Sequence, residues 1–268
     1  MSSKPAIFPS LVYLLLRFTP IVTPLLVLDL RAGPADQYSM YIDTLLRLLI
    51  VLVVWSMTES LSMLWIREKN SGSRNARGYG AVTLMSAFLV LAFLQVFRAQ
   101  SSQNQFLLLL TALGLRGMTR AGWEQGRAYI SVITAILAHS LVALLSFILA
   151  LHSLPWQTLV VSTAVGMLLA AVETAWNSAR FQSPAASRPW IMPVLRASIV
   201  YAPLAVGSLS LLLALPKIYC ATLLLLFPAL RVAKLLPTEA AISTGRTVAI
   251  AGLYLAFMTI MAICRVYS

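Results

Sequence analysis

Apolar runs of roughly membrane-crossing length, separated by short polar breaks that carry arginine, recur along the whole chain. About 20 apolar residues let an α-helix span a bilayer, and the runs lack the strict apolar–polar alternation of a membrane strand. The pattern predicts nine crossings: Phe8 to Asp29, Thr44 to Ile66, Ala81 to Phe97, Gln105 to Leu115, Ala128 to Leu151, Trp156 to Ala179, Ile191 to Leu215, Ile218 to Leu230 and Ile242 to Cys264. The fourth and eighth are short. Prolines at 20, 24, 203 and 228 fall inside runs and predict kinks. The first run reads as a retained helix rather than a cleaved leader, because Arg17 interrupts it and no small-residue cleavage site with a soluble domain follows.

Composition points the same way. Across 268 residues, 60% are hydrophobic and 10% charged, with a mean hydropathy of +0.86. A water-soluble core cannot hide that much apolar surface, so the chain reads as an all-α polytopic membrane protein. No soluble domain or low-complexity linker is visible, and residues 1–268 are read as one membrane domain.

The net charge of +12 invites a nucleic-acid partner, but its distribution argues against one. With the N-terminus inside, the inner segments collect thirteen basic residues: Lys4, Arg67, Lys69, Arg74, Arg77, Arg116, Arg120, Arg127, Arg180, Arg188, Arg231, Lys234 and Arg246. The outer segments hold four, Arg31, Arg98, Lys217 and Arg265. This imbalance follows the positive-inside rule and predicts a bacterial-type inner membrane, a cytoplasmic N-terminus and a C-terminus outside. Attraction to anionic lipid head groups comes with it.

The chain also repeats itself. The second crossing ends in "TESLSMLWIR" and the sixth in "VETAWNSAR", placing Glu59 and Glu173 114 positions apart. The fourth ends in "ALGLRGMTR" and the eighth in "PALRVAK", placing Arg116 and Arg231 115 apart. Two landmarks in one register predict a four-helix unit used twice, over about 8–127 and 128–240, with a final helix over 242–264. An even number of helices per unit makes the halves parallel, so matching ends share one side and surround a central cavity.

Within this frame the intramembrane acids carry the chemistry. Residues four and seven apart share a helix face, so Glu173, Asn177 and Arg180 form one polar stripe, and Glu59 shares a face with Ser62 and Met63. An acid inside a crossing costs a few kcal/mol unless it is paired or hydrated, which makes Glu59 and Glu173 candidate catalytic or metal-binding groups. The competing reading is a Glu–Arg pair that only locks two helices together. Arg67, Arg74, Arg77, Arg116, Arg120 and Arg180 supply forks that could hold a diphosphate. His139, mid-crossing, and His152, near a crossing's outer end, read as helix contacts rather than metal ligands. Cys220 and Cys264 show no metal-ligand spacing and read as small hydrophobes. Trp65, Trp123, Trp156, Trp176 and Trp190 fall near expected membrane surfaces as an aromatic belt. Walker loops, dinucleotide fingerprints and Ser-His-acid spacings are absent from the sequence.

The layout resembles the UbiA-type intramembrane prenyltransferases, whose members have two four-helix repeats and a ninth helix. "ESLSMLWIREKNSGSRNARGYG" is similar to that family's first Asp-rich motif and keeps Arg74 and Arg77. "ETAWNSARF" is similar to the second, with Glu173, Thr174 and Trp176 in the leading places. "GLRGMTRAGW" resembles the basic loop after the fourth helix, and "KLLPTEAAISTGRTVAIAGLYLAF" the last loop and helix. The resemblance implies a cavity for an isoprenoid or other long-chain lipid and, in an active member, Mg²⁺ on the diphosphate. Here Glu59 and Glu173 stand where several acids are expected, with Met63, Arg67, Asn177 and Phe181 nearby. Mg²⁺ favours hard oxygen ligands, and two carboxylates make a poor site.

Two expectations follow. One is a non-catalytic subunit, a lipid-, quinone- or pigment-binding scaffold with possible protein partners in a membrane complex. The other is an active prenyltransferase or isoprenoid-diphosphate lyase in which arginines replace part of the metal's charge. A transporter is the remote third, since only His139 and scattered Ser or Thr could line a path. Glu59 and Glu173 facing one cavity would support metal chemistry; a Glu–Arg salt bridge in its place would oppose it.

Overall fold

The computed structural model describes residues 16, 18–27, 46–49, 51–56, 103–151, 156–181, 190–212, 214–236 and 242–267. These residues are 92% helical and contain no strand. The helices are α1 (Thr19–Val27), α2 (Gln103–Glu124), α3 (Ala128–Leu151), α4 (Trp156–Phe181), α5 (Ile191–Leu211), α6 (Leu226–Lys234) and α7 (Thr244–Tyr267). A 3-10 segment, Lys217–Leu225, leads into α6. A short apolar helix, Leu46–Ser56, lies between α1 and α2 in sequence.

Among the described residues, four helices are long and apolar enough to cross a membrane: α3, α4, α5 and α7. Helices suit this role because every interior backbone N–H and C=O is bonded within the segment. α3 begins and ends at the residues the hydrophobic pattern predicts, and α4 runs only to Phe181 beyond its expected end. α4 is the most enclosed, with 78% of its apolar window buried against 44% for α7. The third expected crossing, about half of the first two, and His152 lie outside the described residues.

Two expectations are corrected. The fourth crossing was expected to stop at Leu115 and give way to a basic loop, but α2 continues through "GLRGMTRAGW" to Glu124. Nothing in that stretch forbids a helix: glycines lower propensity without breaking it, and no proline intervenes. The helix stops where Gly126 adopts φ +69°. There the Arg127 N–H donates to the Gly122 carbonyl at 2.7 Å and the Gly126 N–H to that of Trp123 at 3.3 Å. This is a Schellman C-cap, which closes the helix and turns the chain tightly into α3.

The eighth crossing, Ile218 to Leu230, is not one α-helix but the 3-10 segment followed by the nine-residue α6. Pro228 explains the break. It has no N–H to donate, and its ring crowds the carbonyl four residues back, at Leu224; within α6 it sits in the first turn, where proline is tolerated.

The buried side chains of the described residues form two clusters. The larger joins α3, α4, α5, the 3-10 segment, α6 and α7 through residues such as Phe147, Leu168, Ile199, Tyr219, Tyr254 and Phe257. The smaller joins α1, the 46–56 helix, α2 and α3 through Ile21, Trp55, Leu109, Val142 and Leu145. α3 contributes to both and forms the wall between them.

Contacts also define two ends of the bundle. At one, the Ile242 N–H donates to Ser178 Oγ at 3.1 Å, joining the start of α7 to the end of α4. Arg196 Nη2 donates to the Leu236 carbonyl at 3.0 Å, joining the start of α5 to the residues after α6. At the other end, Ser210 Oγ donates to the Pro216 carbonyl at 2.7 Å and the Cys264 thiol to that of Ile218 at 3.3 Å. Among the described residues of α2 to α7, the first end holds seven basic residues, Arg120, Arg127, Arg180, Arg196, Arg231, Lys234 and Arg246, with Arg116 deeper in the bundle. The second end holds two, Lys217 and Arg265.

Candidate functional site: a buried charged cluster

Three helices that are mainly apolar each bring one polar group to a common point. Arg116 comes from α2, His139 from α3 and Glu173 from α4, and all three are buried. Glu173 stands eight residues before the end of α4, about 12 Å along the helix axis from the basic end of the bundle. At that depth a lone carboxylate would be costly, and an intramembrane acid normally finds an ionisable partner.

Both carboxylate oxygens are engaged. Arg116 Nη1 donates to Glu173 Oε1 and, at 2.5 Å, to Oε2. His139 Nε2 lies 2.8 Å from the same Oε2. An ionised carboxylate only accepts, so this ring nitrogen carries the proton in that bond. A guanidinium and a carboxylate together are neutral, so the charges enter the interior as a compensated pair. Trp55, itself fully buried, closes over the imidazole with ring centroids 6.2 Å apart and planes tilted by 51°.

Hydroxyls extend the polar contacts toward the basic end. One turn beyond Arg116, Thr119 donates to Thr134 Oγ1 at 2.9 Å and joins α2 to α3. One turn beyond Glu173, Asn177 is buried, and next to it Ser178 accepts the α7 backbone bond described above. Thr247 Oγ1 donates to the Ala175 carbonyl at 3.3 Å, a second tie between α7 and α4. Close backbone approach brings α3 and α4 together: a Cβ on Gly166 would lie 2.5 Å from the Ser140 backbone nitrogen.

Of the residues singled out from the sequence, Arg116 and Glu173 are brought into contact, with Asn177 one turn away on the Glu173 face. Arg120 is half-buried on α2. Arg180 belongs to α4, but its side chain, with Glu59, Arg67, Arg74 and Arg77, falls outside the described residues. The repeat register pairs Arg116 with Arg231, yet the first is buried and the second exposed on α6. Trp123, expected in the aromatic belt, is buried, whereas Trp156 and Trp190 are exposed.

Sequence reasoning identified His139 as a helix contact but not its partner. The available signal was depth: Arg116, His139 and Glu173 are charged or titratable groups on neighbouring crossings, and such groups pair inside a membrane. The Mg²⁺ expected from the family resemblance does not fit what Glu173 offers. A hard divalent cation needs free carboxylate oxygens, and here both face a guanidinium and one also an imidazole N–H. Among the described residues, no group of three or more His, Cys, Asp or Glu side chains is gathered for a metal.

Fold and site together define a protein that is all-helical over its described residues, with helices long and apolar enough to cross a membrane and a buried ionic cluster that ties α2 to two of them, α3 and α4. No protein-family model matches the chain, nor does any curated protein or solved structure.

Proposed function

We propose that the protein is a non-catalytic helical scaffold of a membrane complex, related in layout to UbiA-type prenyltransferases and holding a long-chain lipid, quinone or pigment without transforming it. The observation that carries this reading is the engagement of Glu173 by Arg116 and His139. A carboxylate committed to those partners serves as a lock between α2, α3 and α4 and is poorly disposed to bind a metal–diphosphate. The segregation of seven basic residues to one end of α2 to α7, against two at the other among the described residues, supports a cytoplasmic basic end in an inner membrane, with the C-terminus outside.

The test is direct. Purified protein with Mg²⁺ and labelled geranyl, farnesyl or geranylgeranyl diphosphate is expected to release no diphosphate and to retain a co-purifying lipid or protein partner. Diphosphate release that disappears in Glu173→Gln would replace this reading with the active prenyltransferase or lyase.

A further inference from the structure

A groove of about 480 Å³ runs between α5 and α6 and is lined by Arg196, Ala197, Val200, Leu230, Ala233 and Lys234. We propose that it binds an anionic phospholipid, with the phosphate at Arg196 and Lys234 and an acyl chain along the apolar wall. This site is separate from the Glu173 cluster and stands whether or not that cluster is catalytic.

The arrangement along both helices carries the argument. Arg196 lies in the second turn of α5 and Lys234 is the last residue of α6, so both cations sit at the basic end of the bundle. One turn deeper come Val200 on α5 and Leu230 on α6; one turn deeper again, Leu204 and Phe227 are exposed on the outside of the protein. Charge at the membrane edge followed by continuous apolar surface toward the membrane interior is the polarity of a phospholipid. Basic pockets between helices on the inner side of a membrane take anionic head groups for this reason.

The arginine is also poised. Its Nη2 is anchored on the Leu236 carbonyl, while its Nε is buried and makes no hydrogen bond. A guanidinium lining the groove offers N–H donors that suit charge-assisted bonds to phosphate oxygens. Among the described residues, no acidic side chain lines the groove to compete for either cation. Its volume falls within the roughly 300–1,000 Å³ of small-molecule sites.

Native mass spectrometry of the full-length protein in detergent, with added phosphatidylglycerol, phosphatidylcholine or inorganic phosphate, tests the proposal. Phosphatidylglycerol is expected to bind in preference to phosphatidylcholine, and inorganic phosphate not to displace it. Arg196→Gln and Lys234→Gln should each weaken phosphatidylglycerol binding roughly fivefold, the effect of one basic side chain near an anionic leaflet. Arg196→Gln also removes the contact with Leu236, so Lys234→Gln and Ala197→Phe, which fills the groove without changing charge, serve as independent variants; the latter should weaken binding at least as much. Equal binding of the two lipids, or unchanged binding in Lys234→Gln and Ala197→Phe, overturns the proposal. So does inorganic phosphate binding as tightly with the same residue dependence, or a dimer that Ala197→Phe abolishes, which would assign the groove to a second copy.

Discussion

The junction of α2, α3 and α4 and the seam joining α4, α5 and α7 are both buried, yet they are built from different materials. The junction contains Arg116, His139 and Glu173. The seam is filled by Ile199, Val206, Leu253, Tyr254 and Phe257, and its polar contacts are uncharged hydroxyl bonds such as Thr247 to the Ala175 carbonyl and Tyr254 with Thr19. Apolar contact alone discriminates weakly between helix arrangements in lipid, because the tails are as apolar as leucine. A buried carboxylate is satisfied only where its cation meets it, so the charged junction permits one register of three helices and the seam supplies area once that register is set.

The largest expected effect breaks this contrast at its charged side. Arg116→Leu leaves Glu173 buried without its guanidinium and should cost about 3–5 kcal/mol in a denaturant titration of the detergent-solubilised protein. The double variant Arg116→Leu/Glu173→Leu should recover most of that loss, because no uncompensated charge remains. A single-variant loss below about 1 kcal/mol would mean that the cluster does not set the register.

His139→Phe keeps a ring beneath Trp55 but removes one bond to the carboxylate. The expected loss is about 1.5–3 kcal/mol, the range for hydrogen bonds to charged groups. An unchanged transition midpoint would show that Arg116 alone holds Glu173.

Glycines compare the regions by close approach rather than charge. In Gly166→Ala the new Cβ would lie 2.5 Å from the backbone nitrogen and 2.7 Å from the Cα of Ser140. Relief requires moving α3 against α4, with an expected cost of about 1–3 kcal/mol. At Gly207 the nearest atoms are Cγ and Cδ2 of Leu223, a side chain that can rotate away, so Gly207→Ala should cost less. The reverse order in thermal unfolding would mean that the α5 side is the more tightly determined.

The smallest effect belongs to the seam. Thr247→Val removes the hydroxyl bond to the Ala175 carbonyl and should cost only about 0.6 kcal/mol, the average for interhelical hydrogen bonds inside a membrane protein. A loss comparable to that of His139→Phe would erase the distinction between the two regions.

Hydrophobic length and punctuation alone determined α3, α4, α5 and α7, because a chain in lipid must satisfy its backbone within each crossing and therefore forms a helix wherever it stays apolar for long enough. They also marked Glu173 as a residue needing a partner, since a buried acid is costly in any arrangement. Which partner it took was settled only by packing. Arg116 and His139 lie 57 and 34 residues away in sequence, and no local pattern encodes which neighbouring helix presents which polar group at the same depth. The continuation of α2 through its arginines has the same origin. Arg116 looked like the start of a basic loop on hydropathy, but a guanidinium whose charge is met by a buried carboxylate no longer needs water, and the helix can carry it inside.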